Sequence, residues 1–342
     1  ASTLSPRLCG KWDCLDRMFF SDNGSTAVEV ALKMAWQHCQ REAPKRQQVI
    51  AFDGAYHGDT FGAMALGERG LFSAPFEPLL FAVARAPWPA TWWGDELIEQ
   101  REAEALQRLD ELLQTPTAAV IFEPLLQGAG GMAMVRETFL QAVEQRAHAA
   151  GTLVIADEVL TGFGRSGSLF ASHRAGIRPD IVSLSKGLTA GFLPMGVTLA
   201  SESLYQSFVG PEPDRTFFHG HSFTANPLGC AAAVASLDLL EREPERYLSI
   251  EARHRPHLER LASHRLVTKP RLLGGIAAFE LPGDSGYLQP IGLEVQRLAL
   301  ERGLFIRPLG SVVYLMPPLG INDDELEQCY TNLEAVLNSL PL

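Results

Sequence analysis

The chain has 342 residues, 46% of them hydrophobic and 20% charged, which is enough for one large domain and a smaller one with buried cores. Its net charge of −11 and lack of a basic run argue against a nucleic-acid partner, because neutralising phosphates needs concentrated Lys and Arg. The five scattered cysteines form no C-x-x-C pair, no apolar stretch reaches the ~18–20 residues that span a bilayer, and no signal-peptide h-region is present, so a soluble cytoplasmic chain with reduced thiols is expected.

In chain order, residues 1–14 form an atypical N-terminal segment. SDNGSTAVEVALKMA then sets a polar turn before a run whose apolar residues at 27, 28, 31, 32, 34 and 35 keep helical spacing. Thr26 and Glu29 fit a capping box, with Thr26 at the N-cap and Glu29 reaching back. Gly24 and Ser25 then sit at the positive end of a helix, where free N–H groups and a hydroxyl suit an anion. Helices that bind nothing also begin this way.

QVIAF (48–52), AAVIFEP (118–124), TLVIADEV (152–159) and DIVSLSK (180–186) are short, mostly apolar and bounded by turn residues, as buried strands of an α/β sheet should be. GAYHGDT, with Tyr56, follows the first of them. The Pro- and Trp-rich segment 73–94 reads as a long ordered loop, functional or in contact with a partner. Thr138–Ala150 reads as a helix ending at Gly151. Gly162–Gly167 matches G-x-G-x-x-G, yet no apolar helix opens at Gly167, so the dinucleotide fingerprint is rejected. From Pro227 an Ala/Leu-rich helix runs to about Glu241. Beyond it RLLGGIAAFEL, LFIRPLG and VVYLMPP read as strands among amphipathic helices. The expected division is a large domain over 15–240 and a small α+β domain over 241–342.

Asp157 and Lys186 end two successive strands, and in open α/β sheets the strand carboxyl ends face the ligand crevice. A desolvated lysine there is an amine nucleophile, and a carboxylate there can hold a cationic ring nitrogen. A salt bridge between the two, or solvated strand ends, would fit the same pattern. With the anion cup they meet the needs of pyridoxal phosphate: a phosphate site, a pyridinium partner and a Schiff-base lysine. Tyr56 is placed to cover the ring. His219 and His221 form an H-x-H pair without a third ligand in motif spacing, so no metal site is assigned.

IADEVLTGFGRSG followed by SLSKGLTAGFLPMG resembles the signature of the class III pyridoxal-phosphate aminotransferases, a fold-type-I family. The resemblance runs from Leu15 onward and implies a large domain with a mixed, mostly parallel sheet flanked by helices, plus a smaller α+β C-terminal domain. It implies that Lys186 carries the cofactor and shuttles a proton, and that Asp157 keeps the ring nitrogen protonated. Gly24 and Ser25 would hold the phosphate, Tyr56 would stack on the ring, and Glu123 would stand behind the cofactor. Within the family, DNGSTAVEVALKMA, YHGDTFGAM, FHGHSFTANPLGCAAA and IRPLGSVVYLMPPL resemble the biotin-pathway aminotransferases. Those convert 8-amino-7-oxononanoate to 7,8-diaminononanoate with S-adenosylmethionine, or in some relatives lysine, as amino donor. This implies that Arg307 grips the substrate carboxylate, that Asp59, Tyr56 and Gly220 line the substrate side, and that Ser222 reaches the cofactor phosphate of a neighbouring subunit in a homodimer. Another class III transaminase, acting on an ω-amino acid or diamine, fits the broader signature. The family's N-terminal segment is expected to be missing, so an inactive fragment is the remaining rival.

Overall fold

The computed structural model describes residues 1–283 and 289–340; residues 284–288 and 341–342, within the expected small domain, lie outside the described residues. The strands are β1 (Arg17–Ser21), β2 (Gln48–Phe52), β3 (Ala84–Ala86), β4 (Thr117–Phe122), β5 (Leu126–Gln127), β6 (Ala133–Met134), β7 (Leu153–Asp157), β8 (Ile181–Leu184), β9 (Gly196–Ala200), β10 (Thr268–Leu273), β11 (Ile276–Glu280) and β12 (Val312–Leu315). Seven of them form the main sheet in the order β1-β9-β8-β7-β4-β2-β3. The run β8-β7-β4-β2-β3 is parallel, and β9 lies antiparallel to both β8 and β1. The mixed, mostly parallel α/β architecture expected from the resemblance is therefore present.

Side-chain alternation divides the core in two. Ile50, Phe52, Val120 and Phe122 point into one cluster with Leu109, Phe139 and Val143 from the helices Ile98–Leu113 and Glu137–Ala149. Val49, Ala51, Ala119 and Ile121 point into the opposite cluster with Val28, Ala31 and Ala35 from the helix Gly24–Glu42. Burial on both faces is why these strands are apolar throughout rather than alternating. The helix expected to end at Gly151 does so: Gly151 has φ +65°, and the Thr152 N–H turns back to the Ala147 carbonyl.

Three expectations change. The segment 73–94 is not a plain loop, since it holds a 3-10 turn at Ala74–Leu79 and the edge strand β3. Three residues before Pro87 are too short a pattern to read; β3 is held by pairing with β2 and by Arg85, whose guanidinium donates to the Leu66 and Ala65 carbonyls at 2.7 and 3.1 Å. LFIRPLG forms no strand. Leu304 and Ile306 are buried in the core around the C-terminal sheet while Phe305 and Arg307 face out, but only Leu309 finds a bridge partner, Val312, among the described residues. Period-two burial is thus met without a ladder. The first residues do fold: Leu4 and Leu8 of the helix Leu4–Cys9, with Trp12 and Leu15, are buried against Phe170 and Leu237.

β10, β11 and β12 make an antiparallel sheet. Ala277, Phe279, Val313 and Leu315 on one face pack against the helices Ile250–Ala262 and Asp323–Ser339, and Ile276 and Ala278 on the other join the core of the main sheet.

Candidate active site

Four adjacent parallel strands, β8, β7, β4 and β2, deliver their carboxyl ends to one edge of the main sheet. There lies a cavity of about 430 Å³ lined by Gly24, Ser25, Tyr56, His57, Glu123, Asp157, Lys186 and neighbours. Because β9 runs the other way, its entry residues Leu193, Pro194 and Met195 close the wall beside Lys186. β1 lies antiparallel to β9, so its carboxyl end brings Asn23 and Gly24 to the same edge.

The helix behind the anion cup starts three residues earlier than the capping box predicted. Asn23, not Thr26, is the N-cap: its side chain accepts from the Thr26 N–H at 3.0 Å, and the Thr26 hydroxyl accepts from the Asn23 N–H at 3.0 Å. Asn23 is extended, so its amide oxygen folds over the first turn; Gly24 and Ser25 are therefore helical residues whose N–H groups have no partner within the helix. A Cβ on Gly24 would come within 2.7 Å of Val159, so only glycine fits where the helix meets the strand edge.

Asp157 is 4% exposed and does not pair with Lys186. Its Oδ2 lies 2.7 Å from Nδ1 of His57, and its Oδ1 accepts from the Val159 N–H at 3.1 Å. His57, 3% exposed, escaped the sequence reading, and its Nε2 is buried with no protein partner. A histidine beside an aromatic in a strand-end loop was the available signal, but its partner lies 100 residues away. Glu123 is buried and accepts from the Tyr56 and Gly128 N–H groups at 3.1 and 3.0 Å. Burial pushes its carboxyl up to about 7, against the pull of neighbouring His57. Tyr56 is 42% exposed, and burial of the rest, with Asp59 beside it, pushes the phenol up to about 12.

Lys186 opens a 3-10 turn, Lys186–Thr189, with φ +31°, a left-handed backbone that a lysine seldom adopts. The turn is clamped on both sides. The Ser185 hydroxyl donates to the Met195 carbonyl at 2.7 Å, and the Ser236 hydroxyl donates to the Gly187 carbonyl at 3.0 Å. A Cβ on Gly187 would lie 2.7 Å from Phe163, so the rejected G-x-G-x-x-G segment packs the lysine turn instead of opening a dinucleotide helix. The desolvation expected around Lys186 is not supplied by this chain, where the residue is exposed.

Other expected site residues lie outside the cavity lining. Asp59 is exposed, with its N–H donating to Ser25 Oγ at 3.2 Å; Arg307, Gly220 and Ser222 are also exposed. His219 and His221 bond to the Phe20 carbonyl and to Asp22.

The model of the family described as aminotransferase class-III matches residues 3–337, which takes in most of the segment 1–14 set apart above. The chain belongs to the class III aminotransferases. That family works with pyridoxal phosphate, as the resemblance implied. The chain is 57% identical over 328 residues to the adenosylmethionine-8-amino-7-oxononanoate aminotransferase of Synechococcus elongatus, covering 95% of this chain and 77% of that one. It is 40% identical over 360 residues to the enzyme of the same name from Geobacter sulfurreducens, covering 99% and 77%. Among solved structures, that of the same-named enzyme from Methanocaldococcus jannaschii superposes with a TM-score of 0.90 at 31% identity, over 100% of this chain and 80% of that one. An amine transaminase from an uncultivated Pseudomonas species, in its pyridoxal-phosphate-bound form, superposes with 0.91 at 30% identity, over 98% and 80%. The class III fold alone therefore does not separate one amino acceptor from another.

Proposed function

We propose that this class III aminotransferase converts 8-amino-7-oxononanoate to 7,8-diaminononanoate, a step of biotin formation, with S-adenosylmethionine as amino donor. The observation that carries the proposal is the single cavity joining a helix-terminal anion cup, a buried aspartate and a strand-end lysine, in a chain whose relatives carry that activity in their name.

The residues fit the cofactor: the cradle at Gly24 excludes a Cβ, and Asp157 is buried with both oxygens held. When bound, pyridoxal phosphate supplies an electron-poor ring that draws charge from the substrate carbon bearing the amine. The Gly24 and Ser25 N–H groups and the Ser25 hydroxyl bind the phosphate, aided by the helix dipole. Asp157, oriented by His57 and Val159, holds a proton at the ring nitrogen. Tyr56 covers one face of the ring. Lys186 would hold the cofactor through its Nζ and would move a proton at the substrate carbon. Glu123 fixes the Tyr56 backbone through its carboxylate.

On this reading Arg307 holds the substrate carboxylate, with Asp59 and Gly220 on the substrate side. Ser222 lies outside this chain's own cavity lining and serves a partner's phosphate in a homodimer working in the cytoplasm. Exposed Phe218 and Phe223 flanking that segment support a face that a second chain covers.

The test is incubation of the purified chain with pyridoxal phosphate, 8-amino-7-oxononanoate and S-adenosylmethionine. The expected result is 7,8-diaminononanoate by mass spectrometry. Turnover of ω-amino acids or diamines with none of the oxo acid would replace the acceptor; failure to bind the cofactor would remove the aminotransferase reading.

A further inference from the structure

We propose that Glu29 is a positioning residue that sets the spacing between the anion cup and the aromatic loop closing over it. The proposal rests on the cofactor reading above. Glu29 does not reach back to its own helix start, as the capping box predicted. Its Oε1 instead accepts from the Thr60 hydroxyl at 2.5 Å, the Gly62 N–H at 2.7 Å and the Ala63 N–H at 3.1 Å. Gly62 and Ala63 lie in the first turn of the helix Phe61–Leu66, where N–H groups have no partner of their own, and Thr60 makes no side-chain cap bond there. A carboxylate on one helix thus caps another.

Glu29 and Ser25 stand four residues apart, on one face of the helix Gly24–Glu42. The loop from Tyr56 to Thr60 meets that face at both heights. At the lower contact the Asp59 N–H donates to Ser25 Oγ at 3.2 Å; at the upper, Glu29 takes its three donors. A glycine stands at each contact. A Cβ on Gly58 would overlap Ser25, and a Cβ on Gly62 would overlap the Glu29 carboxylate. Gly58 also has φ +133°, closed to most other residues. The loop is therefore built to lie directly on the helix, and it carries Tyr56 and His57 into the cavity.

The cup needs none of this, because Asn23 and Thr26 close it by themselves. The cup's N–H groups and the cover have separate supports; the two touch where Asp59 meets Ser25, and Glu29 is the second tie between them. Its removal should free the cover while leaving the cup intact, a split that a general loss of packing would not produce.

The experiment compares Glu29→Ala and Glu29→Gln with the parent chain. Inorganic phosphate binding is read by calorimetry, pyridoxal phosphate binding by absorbance, and amide hydrogen exchange in the cofactor-free chain by mass spectrometry. In Glu29→Ala, pyridoxal phosphate affinity should fall about tenfold or more, the scale of a lost charge-assisted hydrogen bond, with inorganic phosphate affinity held within about twofold. Exchange over 56–63 should quicken while that over 27–35 does not. Glu29→Gln, which keeps an acceptor oxygen, should recover most of the affinity. Unchanged cofactor affinity, or a parallel loss of cofactor and phosphate, overturns the proposal. A parent chain that binds no pyridoxal phosphate overturns the cofactor reading instead; unchanged exchange over 56–63 in Glu29→Ala would then still overturn the role of Glu29.

Discussion

Three side chains carry separable parts of the proposed chemistry. Lys186→Ala should abolish turnover, because no other amine lines the cavity among the described residues; turnover retained in a coupled assay would remove Lys186 as the nucleophile. His57 acts through Asp157, and an Asn amide can take the place of Nδ1–H. His57→Asn should therefore keep cofactor affinity near that of the parent, while His57→Leu should lose about tenfold, the worth of a hydrogen bond to a charged group. Equal losses in a titration by absorbance would reduce His57 to packing. Arg307→Ala should raise the KM for the oxo acid while leaving cofactor retention unchanged, and equal damage to both would make Arg307 structural. Asp157 and Lys186 were legible in the sequence because a charge at the end of an apolar strand stands out by residue type alone. His57 and Glu29 were not, since each acts on residues 31 to 100 positions away.

Among elements, the long buried strands were legible and the short or one-sided ones were not. β2 occupies the QVIAF run residue for residue, whereas β3, three residues long, is set by the edge of β2 and by the bonds of Arg85 to the helix Phe61–Leu66. The start of the helix Gly24–Glu42 was misplaced by three residues because Asn23 and Thr26 are both good caps, and chain direction out of β1 decides between them. Asn23→Ala should destabilise the chain by about 1 kcal/mol in denaturant unfolding and weaken cofactor binding as well. Beside the C-terminal sheet, His254 on the helix Ile250–Ala262 is fully buried, with Nδ1 2.7 Å from the Tyr330 hydroxyl of the helix Asp323–Ser339. Burial pushes its imidazole down to about 4, from 6.5 when unfolded. The unfolded chain therefore binds the extra proton first, and stability falls as pH drops from 6.5 towards 4, by about 3 kcal/mol from this residue. Unfolding followed over that range should show a steeper acid slope in the parent than in His254→Gln; identical slopes would exclude it.

For the molecule as a whole, a buried cation joins the C-terminal sheet to the loop beside the main sheet. The Arg271 guanidinium on β10 donates to the Met132 and Gly131 carbonyls between β5 and β6 at 2.9 and 2.7 Å and pairs with Glu280 on β11. Gly128, just before this loop, donates its N–H to Glu123, so the C-terminal sheet is tied to the cavity wall. Arg271→Met should cost about 3 kcal/mol, since it strands the Met132 and Gly131 carbonyls without a donor, while Glu280 keeps Lys269 as its partner. A change under about 0.5 kcal/mol in urea unfolding, the range of ordinary surface substitutions, would show that the clasp carries no load.

The sequence by itself determined the sheet's central strands, the strand-end aspartate and lysine, and the family, because these depend on residue type at short spacing. Only the tertiary structure decided what holds them. The antiparallel turn of β9 closes the lysine wall, the return of β1 brings the cup to the same edge, and His57 and Glu29 reach across the fold. The reason is physical: a strand records its burial in its own residues, whereas a hydrogen bond between distant segments leaves no periodicity in either.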